Sequence, residues 1–204
     1  MVRIGVTGPM GSGKSTVARR FLEHGAELVD GDALGWEVLR LPEVKEAIGA
    51  AFGARVIGRD GEVDRPRLGR IVFADPESMA KLNAIVQPVL LRRVRDVLDG
   101  RGRGIRVLDA AMLTTWKLEP ELDGVVEIVA SEDSRVRRIR AARGYDDAEA
   151  RSRIRGQKLP PVRGARRHWL IENEGDRARL VARADEVWEE IVSLATADAA
   201  GPGD

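Results

Sequence analysis

A chain of 204 residues with 43% hydrophobic and 33% charged side chains has an ordinary globular composition, with enough apolar material for a core of its own. A formal net charge of +1 removes any whole-molecule field favouring nucleic acid or an anionic membrane, and the lack of cysteine excludes disulfides, thiolate metal sites and thiol catalysis. No run approaches the roughly 18 apolar residues of a membrane helix, and Met1 leads straight into a short apolar run, so a cytoplasmic protein is expected.

In chain order, Val2 to Thr7 reads as a strand that breaks into a glycine-rich turn, followed by helical spacing at Val17, Phe21 and Leu22. Ala26 to Val29 is a second strand ending at Asp30-Gly31-Asp32, after which Leu34, Val38 and Leu39 restore helical spacing. Two strand-to-helix units in succession predict a parallel sheet covered by helices. From Pro42 to about Leu98 the pattern is mostly helical, with turns at Arg59-Asp60-Gly61 and Asp75-Pro76. That block is too long for a simple crossover and predicts an inserted helical subdomain. Strand character returns at Ile105 to Leu108, closing on Asp109, and at Val125 to Val129. Ser131 and Asp133 open an arginine-rich helix running to Gly144, and a second helix fits Asp147 to Gln157. Trp169 to Ile171 is a last short strand and Leu180 to Leu194 a closing amphipathic helix. The expected organisation is one α/β domain over residues 1–195 and a disordered tail from 196 to 204.

Gly8-Pro9-Met10-Gly11-Ser12-Gly13-Lys14-Ser15 satisfies G-x-x-x-x-G-K-[ST] between a predicted strand and a predicted helix. Glycines at 8, 11 and 13 let the backbone take positive φ and bring successive N–H groups around a phosphate. The helix that follows offers unpartnered N–H groups and a positive dipole end. Lys14 supplies a point charge for the β- and γ-phosphates. Ser15, and less directly Thr16, offers a hydroxyl for magnesium. Gly8, Gly11, Ser12, Gly13, Lys14, Ser15 and Thr16 are therefore the expected contacts of ATP. The loop does not identify the acceptor, because GTPases, ATPases and small-molecule kinases share it.

Carboxylates at the ends of neighbouring parallel strands reach the same crevice. Asp32 is the candidate general base for an attacking hydroxyl, with a helix-capping role as the alternative for it and for Asp30. Asp109, at the end of the third strand, is a candidate magnesium ligand alongside Ser15, though strand-end aspartates also occur in plain loops. Arg138, Arg140 and Arg143 are candidates for stabilising the transferring phosphoryl group, Arg143 foremost because Gly144-Tyr145 makes a hinge behind it. A solvated face accounts for any one of them equally well. The two histidines, His24 and His168, lack metal-ligand spacing, and the four tryptophans read as packing groups, with Trp36 close enough in sequence to Asp32 to touch an acceptor.

These residues resemble the dephospho-CoA kinase family over nearly the whole chain. Ile4-Gly5-Val6-Thr7-Gly8 through Gly11-Ser12-Gly13-Lys14-Ser15-Thr16-Val17 is similar to the family's opening, and Val29-Asp30-Gly31-Asp32 resembles its V-D-A-D segment, whose second aspartate is taken as the catalytic base. Phe52-Gly53, Val72-Phe73 before Asp75-Pro76, Leu82-Asn83 before Gln87-Pro88, Arg143-Gly144-Tyr145, Gln157 and Asn173 with Gly175 continue the likeness in order. The departures are Gln87-Pro88 for His-Pro, Asp109-Ala110-Ala111-Met112-Leu113-Thr114-Thr115 for D-x-P-L-L-F-E, and Arg167-His168 for Ala-Asp. They bear on acceptor recognition and turnover more than on nucleotide binding.

The residue reading and the resemblance together predict a three-layer α/β P-loop fold with catalytic Asp32, Lys14, Arg140 and Arg143, a helical acceptor block and a lid over about 131–165. The resemblance also implies ATP and Mg2+ as cofactors and dephospho-CoA as the small-molecule substrate. No nucleic-acid or membrane partner is expected, and the protein is expected to be a monomer or weak homo-oligomer. The alternatives are a kinase for another nucleoside or nucleotide, and a nucleotide-binding relative impaired in catalysis.

Overall fold

A computed structural model describes residues 1–100, 102 and 104–199. The elements in order are β1 (Val2–Thr7), α1 (Lys14–Glu23), β2 (Glu27–Asp30), α2 (Gly31–Val38), α3 (Pro42–Phe52), α4 (Arg65–Ala74), α5 (Pro76–Leu98), β3 (Ile105–Asp109), α6 (Leu113–Trp116), β4 (Gly124–Val129), α7 (Glu132–Arg143), α8 (Asp147–Gly156), β5 (His168–Glu172) and α9 (Arg177–Ala199). They form two compact units, one of Met1–Asp30 with the chain from Gly100 onward, the other Gly31–Asp99.

The first unit is built on a five-stranded parallel sheet of order β2-β3-β1-β4-β5. Its inner strands are buried on both faces, and their sequences are accordingly near-continuous Val, Ile and Leu. One face is covered by α1 and α9: Ile4, Val6, Val107, Val126 and Ile128 pack with Phe21, Leu180, Val187, Trp188 and Ile191. Full burial of Phe21, whose ring lies 5.4 Å from that of Trp188, contributes about 1.5–3 kcal/mol. The other face is approached at Gly5, where an added Cβ would stand 2.4 Å from Leu113 Cδ1, so the strand takes glycine to let α6 close.

The second unit is helical. α5 is its axis, touching α2, α3 and α4, with Leu34, Val38, Val44, Ile48, Leu68, Val72, Leu90 and Val94 buried. Asp75 begins α5 by accepting from the N–H groups of Glu77 and Ser78, and Pro76 occupies the first helical turn, where its missing N–H costs nothing. The hydrogen bonds to Asp75, led by those of Ser78, hold its pKa below the ordinary carboxylate value.

Most boundaries shift by a residue or a few from the sequence reading, and three of the shifts have a physical reason. β2 runs through Asp30, one residue past Val29, because Asp30 pairs with Asp109 across the ladder. The helical unit begins at Gly31, since α2 leaves β2 with no intervening loop and Gly31 is buried. The closing helix continues past Leu194 to Ala199, so the expected disordered tail is helical at 196–199. Alanine is the strongest helix former, and the Thr196 hydroxyl donates to the Ser193 carbonyl rather than competing with the helix. The remainder of the expected tail, 200–204, lies outside the described residues. Among the described residues, no helix is long and apolar enough to cross a membrane.

Candidate active site

The loop between β1 and α1 is the centre of the first unit's chemistry. Gly13, which precedes α1, has φ +106°, and a Cβ there would lie 2.5 Å from Asn173 Nδ2. Only glycine satisfies both the left-handed backbone and that approach. No side chain caps α1; the Thr16 N–H turns back to the Gly13 carbonyl at 2.9 Å, and those of Lys14 and Ser15 are left uncapped. The N–H groups of Gly11 and Gly13 also have no hydrogen-bond partner among the described residues.

Three successive carbonyls of the same loop, those of Met10, Gly11 and Ser12, are taken by side chains from distant segments. Arg135 Nε donates to the Met10 carbonyl at 2.8 Å, Arg138 Nη1 to the Gly11 carbonyl at 3.3 Å, and Asn173 Nδ2 to the Ser12 carbonyl at 2.7 Å. Gln157 Oε1 accepts from the Met10 N–H at 2.6 Å. Arg138 Nη2 also donates to the Asn173 carbonyl at 2.7 Å and to Asn173 Oδ1 at 3.0 Å. The outcome is a loop with its acceptors pulled outward and donors left over, which is an anion-binding arrangement. Burial lowers the pKa of the Arg135 guanidinium, a pull that neighbouring Glu132 opposes.

The N-terminal half of α7 is tied down at the same place. Glu174 accepts hydrogen bonds from the Ser134 hydroxyl at 2.7 Å and from both the N–H and the hydroxyl of Ser131, the residue that caps α7. The Ser134 hydroxyl, then the Ser131 N–H and hydroxyl, lower the Glu174 pKa to about 2. The C-terminal half is held more loosely. Arg140 makes a 3.4 Å pair with Asp147 in which both side chains are about half exposed, and exposed Arg143 ends the helix before Gly144 at φ +69°. Sequence reading favoured Arg143 and Arg140 as the charges over a transferring phosphate. Neither donates to the loop, and Arg135 and Arg138 do.

At the carboxyl ends of the strands, Asp109 is aligned with Val6 of β1 and with Asp30 of β2. Lys14 Nζ is hydrogen-bonded to Asp109 Oδ1, with both side chains only 15% exposed. The loop lysine and the predicted metal ligand thus hold one another. Ser15 is exposed in the first turn of α1, with Thr16 beside it, and its hydroxyl makes no hydrogen bond among the described residues. Asp32 is exposed in the first turn of α2, in the helical unit.

Two cavities accompany these groups. In the sheet unit, a cavity of about 320 Å³ is lined by Thr7, Gly8, Pro9, Thr114, Arg135 and Gln157 among others, and the Thr114 hydroxyl is buried there without a partner. In the helical unit, a cleft of about 560 Å³ is walled by Trp36, Leu39, Leu68, Val72, Phe73 and Leu82. Arg65 stacks 3.0 Å from the centre of the Trp36 ring, and Phe73 is 83% exposed, unusual for so large an apolar side chain. His168 is accounted for by Glu127 at 2.9 Å, and His24 by Asp185 and the stacked Trp188.

Sequence reading named the loop but not what holds it. Gln157 and Asn173 were points of resemblance without a role, and Arg135 was only the first of a run of arginines. One local signal was present: Arg135 and Arg138 are three residues apart and so share a helix face.

The family described as dephospho-CoA kinase matches residues 2–179. A dephospho-CoA kinase of Thermobifida fusca (strain YX) is 39% identical over 194 residues, 94% of this chain and 96% of that protein. One of Streptomyces avermitilis is 37% identical over 198 residues, 96% of each. Among solved structures, a crystal structure of a Thermus thermophilus protein superposes with a TM-score of 0.77 at 30% identity, covering 93% of this chain and 96% of that one.

Proposed function

The chain belongs to the dephospho-CoA kinase family, and from that premise we propose that it transfers the γ-phosphoryl group of ATP to the ribose 3′-hydroxyl of dephospho-CoA, giving coenzyme A and ADP. The observation that carries this reading is the loop at 8–16: its Met10, Gly11 and Ser12 carbonyls are occupied by distant side chains, its Gly11 and Gly13 N–H groups have no partner among the described residues, and Lys14 stands at its end. Such a loop binds a polyphosphate rather than a neutral ligand.

Transfer of a phosphoryl group demands positioning and charge stabilisation more than covalent chemistry. Lys14, whose Nζ is hydrogen-bonded to Asp109, supplies the positive charge for the β- and γ-phosphate oxygens. Asp32 accepts the proton as the 3′-oxygen forms its bond to phosphorus and the bridging oxygen leaves with ADP. Ser15 and Asp109 are hard oxygen donors of the kind magnesium takes, and both lie in the loop unit, so the donor set fits that ion. Bound there, magnesium supplies neutralisation of phosphate charge. The helical unit receives the acceptor, with the cleft of Trp36 and Phe73 offering apolar surface to its uncharged arm. The enzyme is read as cytoplasmic and as a monomer or weak homo-oligomer.

A coupled assay with ATP, magnesium and dephospho-CoA tests the proposal on the wild type and on Asp32→Asn. The wild type is expected to turn over, and the variant to lose about a hundredfold or more in kcat. Equal rates would remove Asp32 from its role. Faster turnover with a free nucleoside than with dephospho-CoA would replace the acceptor.

A further inference from the structure

We infer that Asn173, with its amide oriented by Arg138, is a positioning residue that aims the phosphate-binding N–H of Gly13. A trans peptide points its C=O and the following N–H in opposite directions. There is no cis peptide in the described chain, so fixing the Ser12 carbonyl fixes the direction of the Gly13 N–H. The Ser12 carbonyl is held at 2.7 Å by Asn173 Nδ2, and Asn173 is only 4% exposed, so no water competes for the bond.

Which end of the Asn173 amide faces Ser12 is itself decided. Arg138 has no acceptor atom and donates to Oδ1 at 3.0 Å, leaving Nδ2 as the only end available to the carbonyl. The Asn173 main chain is anchored by its own N–H, which donates to the Val129 carbonyl at 2.8 Å, and by its carbonyl, which accepts from Arg138 at 2.7 Å. Residue 173 thus joins the end of β5 to the loop, a path from the sheet edge to one donor of the phosphate site. Arg135 on the Met10 carbonyl acts in the same sense on the Gly11 N–H.

The inference rests on the reading of this loop as a polyphosphate site, and the experiment separates the two. Calorimetric titration of wild type and Asn173→Asp with Mg-ATP and with inorganic tripolyphosphate is the measurement, alongside the melting temperature of the ligand-free proteins. The substitution preserves size and the acceptor for Arg138 but turns a second oxygen toward the Ser12 carbonyl. The expected result is wild-type binding of both probes and a weakening of both by the same factor, about tenfold or more in the variant. The KM for ATP should rise by that factor while the KM for dephospho-CoA stays put. Loss for ATP with tripolyphosphate unaffected would mean that Asn173 touches the nucleoside and would overturn the inference, as would unchanged affinity for both. Should Asn173→Asp fail to fold, Arg138→Lys serves with the same readouts, because a lysine keeps the charge but cannot serve both Asn173 oxygens and the Gly11 carbonyl. A wild type that binds neither probe defeats the loop reading, and the inference with it.

Discussion

The phosphate loop and the aromatic cleft of the helical unit are built in opposite ways. The loop uses main-chain atoms within nine consecutive residues, and distant side chains hold three of its carbonyls and the Met10 N–H. The cleft uses side chains gathered from α2, α4 and α5, with Phe73 largely and Trp36 partly exposed. A backbone site can be changed only by altering glycine geometry or the tethers, so it is rigid and indifferent to what lies beyond the phosphates. A side-chain site changes with any one substitution, and on the proposed function it is where the acceptor is selected. The departures from the family pattern at Gln87 and Thr115 leave the loop's own residues untouched.

The largest effect that would separate the two sites is expected from Gly13→Ala. The new Cβ meets Asn173 Nδ2 and the residue keeps a φ near +106°, so Mg-ATP affinity should fall at least about a hundredfold by calorimetry. The same strain should lower thermal stability by about 1–3 kcal/mol. Near-wild-type binding would show that the loop yields more easily than its tethers suggest. A smaller and more selective change is expected from Trp36→Ala, which should raise the KM for dephospho-CoA about tenfold and leave ATP affinity unchanged. Parallel changes in both Michaelis constants would erase the proposed division of labour.

The smallest effect concerns Glu174. Its folded pKa, about 2, lies below the ordinary value of 4.5, so its contribution to stability is present above pH 4.5 and lost as pH falls toward 2. Glu174→Gln should therefore be modestly less stable than wild type at neutral pH, and the two unfolding curves should converge near pH 2. A constant difference across that range would mean that Glu174 acts through packing rather than charge.

What was legible in the sequence follows the same division. β1, β3 and β4 are apolar runs because both their faces are covered, and the loop is contiguous, so strand, turn and helix could be read in order. The tethers could not, since Met10, Gly11 and Ser12 are bound by residues at 135, 138, 157 and 173, and no local pattern encodes a contact across that separation. Arg143 was favoured for the hinge that Gly144-Tyr145 makes behind it, whereas contact with the loop follows the helix face that Arg135 and Arg138 share. The onset of α2 was hidden by Asp30-Gly31-Asp32, whose composition reads as a turn although Gly31 is already helical and buried.

The strand order has a consequence for the growing chain. β1, synthesised first, is the middle of five strands, and its two neighbours begin only at Ile105 and Gly124. Before either of them is made, the helical unit emerges complete and can condense on its own contacts. Throughout that interval the segment Val2–Thr7 has two unpaired backbone edges and an apolar side-chain face, so a nascent chain released before residue 105 carries a folded helical bundle attached to a bare, adhesive ribbon.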